Sequence, residues 1–173
     1  DTRRDDQTAL GVPLGISFPF YGDSFTTASV CTNGWISFTS NKTSYSNQPL
    51  PNTGTTVPEN LIAAFWDDLH MRTTGKVFTW SDGSRFVVQW NNVERLTSGS
   101  LFTFQIQLFP NGRVLLQYKS MSGLLNSGTI GIQNATRDDG LTVVFNQDYV
   151  HGEMAVEFKN IPQWLNIAPE EGT

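Results

Sequence analysis

Phe102-Thr103-Phe104-Gln105-Ile106-Gln107-Leu108-Phe109-Pro110-Asn111-Gly112-Arg113-Val114-Leu115-Leu116-Gln117-Tyr118-Lys119 is the stretch that sets the fold class. Phe102, Phe104, Ile106 and Leu108 share one face of the first run, and Thr103, Gln105 and Gln107 share the other. That alternation is the period of a half-buried strand. Pro110-Asn111-Gly112 ends the run, and Asn-Gly tolerates the positive φ angles of a tight hairpin turn. The returning run sets Val114, Leu116 and Tyr118 opposite Leu115, Gln117 and Lys119. Two strands and their turn are therefore predicted as a β-hairpin.

The same grammar extends in both directions. Residues 76–80, Ser81-Asp82-Gly83 and residues 85–90 form a second predicted hairpin. Thr32-Asn33-Gly34 separates 28–31 from 35–39, and Asp138-Asp139-Gly140 separates 128–134 from 141–145. Residues 14–20 and 154–158 read as first and last strands. Roughly ten short strands joined by turns predict an all-β fold, a two-layer antiparallel β-sandwich or jelly-roll-like arrangement. One segment allows at most one short helix. In 59–70, Leu61, Ile62, Phe65, Trp66 and Leu69 fall at helical spacing behind Pro58-Glu59-Asn60. The preceding stretch, 41–60, is rich in Asn, Thr, Ser and Pro. A connection this long is either functional or a solvated surface loop.

The 173 residues fit one domain, or one domain and the edge of another. The expected division is a sandwich over 1–159, with 160–173 a linker or the first strand of a following domain. With 38% apolar and 16% charged residues the composition is that of a globular chain. A net charge of −5 provides no electrostatic footprint for nucleic acid or an anionic membrane. No apolar run approaches the roughly 18 residues of a membrane span. Cys31, the single cysteine, reads as a buried small residue. The opening Asp1-Thr2-Arg3-Arg4-Asp5-Asp6 reads as a cut or processed start.

Candidate chemistry is sparse. Gly22-Asp23-Ser24 and Asp148-Tyr149-Val150-His151 are similar to the outer motifs of GDSL-type esterases. That resemblance would make Ser24 the nucleophile, His151 its base and Asp148 the group that orients the imidazole. The esterase fold is α/β, however, and its middle Gly and Asn blocks are absent here. His70 and His151 lack ligand spacing and read as surface or loop side chains. Glu94, Glu153 and Glu157 would suit a glycosidase only if two faced one sugar, and no spacing pairs them.

Asp67-Asp68 is the better candidate. Ca²⁺ takes about six to eight hard oxygens, and adjacent carboxylates near a turn supply them, so Asp67 and Asp68 are the expected metal ligands and Ca²⁺ the expected cofactor. Asp138-Asp139 reads as a turn. On the polar strand faces stand Gln89, Gln105, Gln107, Gln117 and Gln133, with Thr103 and Thr129. Amides beside aromatic rings recognise sugar hydroxyls, so Trp35, Gln105 and Gln107 are the expected ligand-binding residues, with Trp35 an exposed platform. The alternative is an ordinary wet sheet face. Trp66, Trp80 and Trp90 read as core. Asn41-Lys42-Thr43 and Asn134-Ala135-Thr136 fit the glycosylation sequon.

The ordered segments Gly15-Ile16-Ser17-Phe18-Pro19-Phe20-Tyr21-Gly22, Cys31-Thr32-Asn33-Gly34-Trp35-Ile36-Ser37-Phe38 and Leu61-Ile62-Ala63-Ala64-Phe65-Trp66-Asp67-Asp68-Leu69 carry a resemblance. Together with Phe86-Val87-Val88-Gln89-Trp90 and Thr129-Ile130-Gly131-Ile132-Gln133 they resemble the nidogen-like extracellular β-sandwich module. Versions of that module occur in plexin-domain-containing receptors and in large secreted bacterial proteins. The resemblance implies a strand at Phe65-Trp66-Asp67-Asp68 and a non-catalytic interaction or spacer role. The tail Pro162-Gln163-Trp164-Leu165 through Pro169-Glu170-Glu171-Gly172-Thr173 resembles the opening of bacterial immunoglobulin-like, BACON-type modules. The expected protein is thus an extracellular or cell-surface module, of prokaryotic origin, serving adhesion, ligand binding or spacing. Its expected partners are other domains of the same polypeptide and a protein or carbohydrate ligand at the cell surface, with no nucleic acid and no membrane insertion. The alternatives are a carbohydrate-binding accessory module of a secreted hydrolase or peptidase, and the serine esterase.

Overall fold

Side-chain alternation sorts the strands into two sheets that face each other across an aromatic core. The computed structural model describes residues 5–71, 74–97 and 99–159. Among them are twelve strands and no helix: β1 (Thr8–Phe20), β2 (Asp23–Cys31), β3 (Trp35–Ser37), β4 (Leu61–Trp66), β5 (Leu69–His70) and β6 (Lys76–Ser81) come first. They are followed by β7 (Phe86–Arg95), β8 (Leu101–Leu108), β9 (Val114–Ser122), β10 (Thr129–Gln133), β11 (Gly140–Phe145) and β12 (Met154–Phe158). The first sheet runs β1-β2-β3-β4-β10-β11, and the second runs β12-β9-β8-β7-β5, with β6 also paired to β7. All named pairs are antiparallel. The all-β sandwich is as expected, and the hairpins fall where the Asn-Gly and Asp-Gly turns place them.

The principal core lies between the sheets. Phe18, Ile36, Ile62 and Ala64 of the first sheet are buried in one cluster with Val88, Trp90, Phe104 and Leu116 of the second. Trp90 stacks on Phe104 with centroids 5.1 Å apart. Two polar tips fasten one sheet to the other: the Trp90 Nε1 donates to the Cys31 carbonyl at 2.9 Å, and the Tyr118 hydroxyl donates to the Ala64 carbonyl at 2.6 Å. Buried indole and phenol groups need such partners.

Residues 59–70 contain strands β4 and β5, with no helix. All six residues of β4 are buried, so no polar alternation could reveal the period of two. Its backbone is claimed on both sides, by β3 and β10. Sheet pairing overrides the local helical spacing.

A second core explains why both faces of β4 are apolar. On the outer face of the first sheet, Cys31, Trp35, Leu61, Ala63 and Trp66 cluster with Leu50 and Val57 from the β3–β4 connection. That connection is therefore a cover over the sheet, although it contains no strand. Its backbone is fastened to side chains beneath it. Trp35 Nε1 and Trp66 Nε1 both donate to the Ser44 carbonyl, at 2.9 and 3.0 Å. Leu50 N donates to Thr142 Oγ1 at 2.6 Å. Gln133 accepts from Asn52 N at 3.0 Å and donates to the Pro58 carbonyl at 2.6 Å. Trp35 is consequently fully buried and is no exposed platform. Gln133 and Thr129 are buried under the same cover and so do not belong to an open polar face.

Cys31 is buried as expected, and burial pushes its thiol up to about 11. The native chain should therefore resist a thiol-specific reagent at pH 8 and react fully only in denaturant. Fast native labelling would contradict the burial of this side of the sheet. The linker or immunoglobulin-like reading of 160–173 lies outside the described residues.

Candidate functional site

The acidic candidate is split by the fold. Asp67, at the end of β4, is buried. Its Oδ2 accepts from Arg95 Nε at 3.0 Å and from Ser127 Oγ at 2.6 Å, and its Oδ1 accepts from Asp68 N at 2.8 Å. These bonds tie the end of β4 to β7 and to the turn before β10, which is structural work. Asp68 faces elsewhere. One carboxylate oxygen each from Asp5, Asp6 and Asp68 lie within 4.8 Å of one another, and Asn33 Nδ2 donates to Asp6 Oδ1 at 2.8 Å. Burial holds the Asp68 carboxyl above its ordinary range, reinforced by the charges of Asp6, Asp5 and Asp67 and opposed by His70.

The sign of that shift yields a testable result. Because the folded pKa is raised, this group's stabilisation is complete below the unfolded pKa and is lost as pH rises through the folded value. At pH 7 the three carboxylates repel. Asp68→Asn should therefore raise Tm at pH 7 and low salt by roughly 1–3 °C, and the gain should vanish near pH 3 or in high salt. A fall in Tm at pH 7 would contradict this account.

The second candidate is the outer face of the second sheet. Register places Phe78 beside Gln89, Gln89 beside Gln105, and Gln105 beside Gln117, with Ala155 next in line. A parallel row runs Trp80, Val87, Gln107, Leu115, Glu157. These side chains point away from Val88, Trp90, Ile106 and Leu116, which belong to the core. Gln117 Oε1 accepts from Gln105 Nε2 at 2.7 Å and from Gln107 Nε2 at 2.5 Å. Gln107 Oε1 in turn accepts from Arg85 Nη1 at 3.2 Å. The Arg85 guanidinium lies 5.6 Å from the centre of the Trp80 ring, within cation–π range. An ordered chain of side chains thus leads from Trp80 to Gln105. A groove of about 340 Å³ opens along the amide row, lined in part by Gln89, Gln105, Gln117, Lys119 and Glu153.

Of the expected ligand-binding residues, Gln105 and Gln107 share this face, whereas Trp35 is sealed in the other sheet. The exposed rings are Phe78 and Trp80, 50% and 51% accessible. Trp80 therefore departs from the core reading, while Trp66 and Trp90 fulfil it. The available signal was parity: Phe78 and Trp80 alternate in step with Lys76, and a lysine marks a solvent face. His70 is also corrected, because it is buried on β5 rather than on the surface; His151 is exposed.

The catalytic candidates are dispersed. His151 Nδ1 is 2.8 Å from the Gly152 carbonyl, and Ser24 sits in register with Pro19 on the β1–β2 hairpin. No hydrogen bond among the described residues joins Ser24, Asp148 and His151. Glu94 is in register with Leu101 at one end of β8. Glu157 is in register with Leu115, which pairs with Gln107 near the other end, and is engaged by Arg113.

A family model described as NIDO related matches residues 1–173. No solved structure matches the chain.

Proposed function

The chain belongs to the NIDO-related family, and we propose that it works as a non-catalytic module of a larger extracellular or cell-surface protein, by ligand binding or adhesion. The observation that carries this reading is the asymmetry of the two outer faces. One is closed by the β3–β4 connection and holds a second core. The other is left open, with half-exposed rings beside a row of amides. A pure spacer has no use for two exposed aromatic side chains on one edge strand, whereas a binding module does. The likeness of residues 160–173 to bacterial immunoglobulin-like modules supports a prokaryotic, multidomain parent.

Two assays test the proposal. The purified chain should show no turnover of p-nitrophenyl esters or glycosides above buffer. Turnover abolished by Ser24→Ala or His151→Ala would overturn it in favour of the esterase. Protease shaving of intact cells producing the parent protein should remove an epitope placed in this module, and protection until lysis would refute the extracellular placement.

A second reading, Ca²⁺ stabilisation, is favoured by the gathering of Asp5, Asp6 and Asp68. It requires that millimolar Ca²⁺ raise the Tm of the native chain by several degrees and leave Asp68→Asn unmoved. No shift would dismiss it.

A further inference from the structure

We propose that the open face of the second sheet binds a neutral oligosaccharide or polysaccharide chain, laid across the strands from the Phe78 and Trp80 rings along Gln89, Gln105 and Gln117. This rests on the non-catalytic binding reading and gives it a ligand class and a site. The first argument is the pairing of chemistries. Aromatic faces offer a flat apolar surface to the C–H face of a pyranose ring, and primary amides both donate and accept, as a sugar hydroxyl does.

Unsatisfied amide capacity is the second. Among the described residues, Gln89 Oε1, Gln105 Oε1 and Gln117 Nε2 have no protein partner, and none is among the buried unpartnered atoms. They are therefore open to solvent and free to meet a ligand. Both polarities occur, two acceptors and one two-proton donor, side by side.

Preorganisation is the third. The Gln105–Gln117–Gln107–Arg85 chain of hydrogen bonds and the Arg85–Trp80 contact hold the side chains before any ligand arrives. Binding then costs little further rotamer entropy.

Dimensions and charge narrow the ligand. From Phe78 to Gln117 the site crosses four strands, so at about 4.8 Å per strand it is roughly 14 Å long. That suits a chain of several sugar units better than a single sugar. Lys119 and Glu153 both border the groove, so neither sign prevails and a polyanion gains nothing. A protein partner would call for a contiguous apolar centre, and here the centre of the face is amide.

The test is native affinity electrophoresis of the purified chain through gels containing mixed-linkage β-glucan, xylan, galactomannan or pullulan, with polygalacturonate as the charged control. Retardation by at least one neutral polymer is expected. Trp80→Ala, Phe78→Ala and Gln117→Ala should each weaken it about tenfold or more, with a cooperative melting transition retained. Tyr45→Ala, which removes an exposed ring from the covered sheet's loop, should bind as the native chain does. Absence of retardation in every neutral gel, retardation by polygalacturonate alone, or retardation that survives Trp80→Ala and Phe78→Ala would overturn the proposal. Reducing ends are assayed in the same mixtures. Their release would defeat the non-catalytic reading while leaving the glycan site intact, so the two failures are distinguishable.

Discussion

Replacing Trp35 by alanine is expected to cost about 3–5 kcal/mol of stability, as for other fully buried aromatic side chains. Trp80→Ala should cost about 0.5 kcal/mol or less, as for a surface substitution. Both tryptophans point to the outer face of their sheet, yet one is fully buried and the other half-exposed. Loss of Trp35 opens a cavity beneath Leu50 and Val57 and strips one of two indole donors from the Ser44 carbonyl. In a domain of this size the loss should lower Tm by roughly 6 °C or more. Urea and thermal melts of the two variants, run side by side, check it; equal effects would mean that the β3–β4 connection does not cover the first sheet.

Gly34→Ala should be more damaging still. Gly34 has φ +79°, and a Cβ there would stand 2.0 Å from the Phe65 carbonyl oxygen. The backbone cannot retreat, because the Gly34 carbonyl accepts from Ala64 N at 3.1 Å and from Phe65 N at 3.2 Å. We expect a cost of about 4 kcal/mol or more, seen as loss of soluble folded protein or of its melting transition. Gly83 has the same φ and nothing within 4 Å of a built Cβ, so Gly83→Ala isolates the conformational term at about 1–2 kcal/mol. Similar losses in the two variants would contradict the close approach of the β2–β3 turn to β4.

These two cases show where side-chain pattern is informative. Alternation in 102–119 states which residues share a face, and the hairpin follows directly. It does not state what lies over that face. Trp35 alternates with Ile36 just as an exposed residue would, but the cover comes from Leu50 and Val57, in a stretch without periodicity. The same cover hides the strand character of β4, since a strand buried on both sides has no polar face to read. Asp67-Asp68 was legible as an acidic pair, but adjacent residues in an extended chain point apart. The partners each acquires, Arg95 and Ser127 for one, Asp5 and Asp6 for the other, come from distant sequence. Gln105 and Gln107 were legible as outward-facing because alternation on the hairpin places them there, Gln105 part-exposed and Gln107 buried among its neighbours.

The central claim is that one outer face is sealed and the other, bearing Trp80, is the open one. Hydroxyl-radical footprinting of the native chain, read by mass spectrometry of its peptides, tests it most directly. Fast oxidation of Phe78 and Trp80 with protection of Trp35, Trp66 and Trp90 is the predicted pattern. Oxidation of Trp35 as fast as that of Trp80, or protection of Trp80, would contradict it.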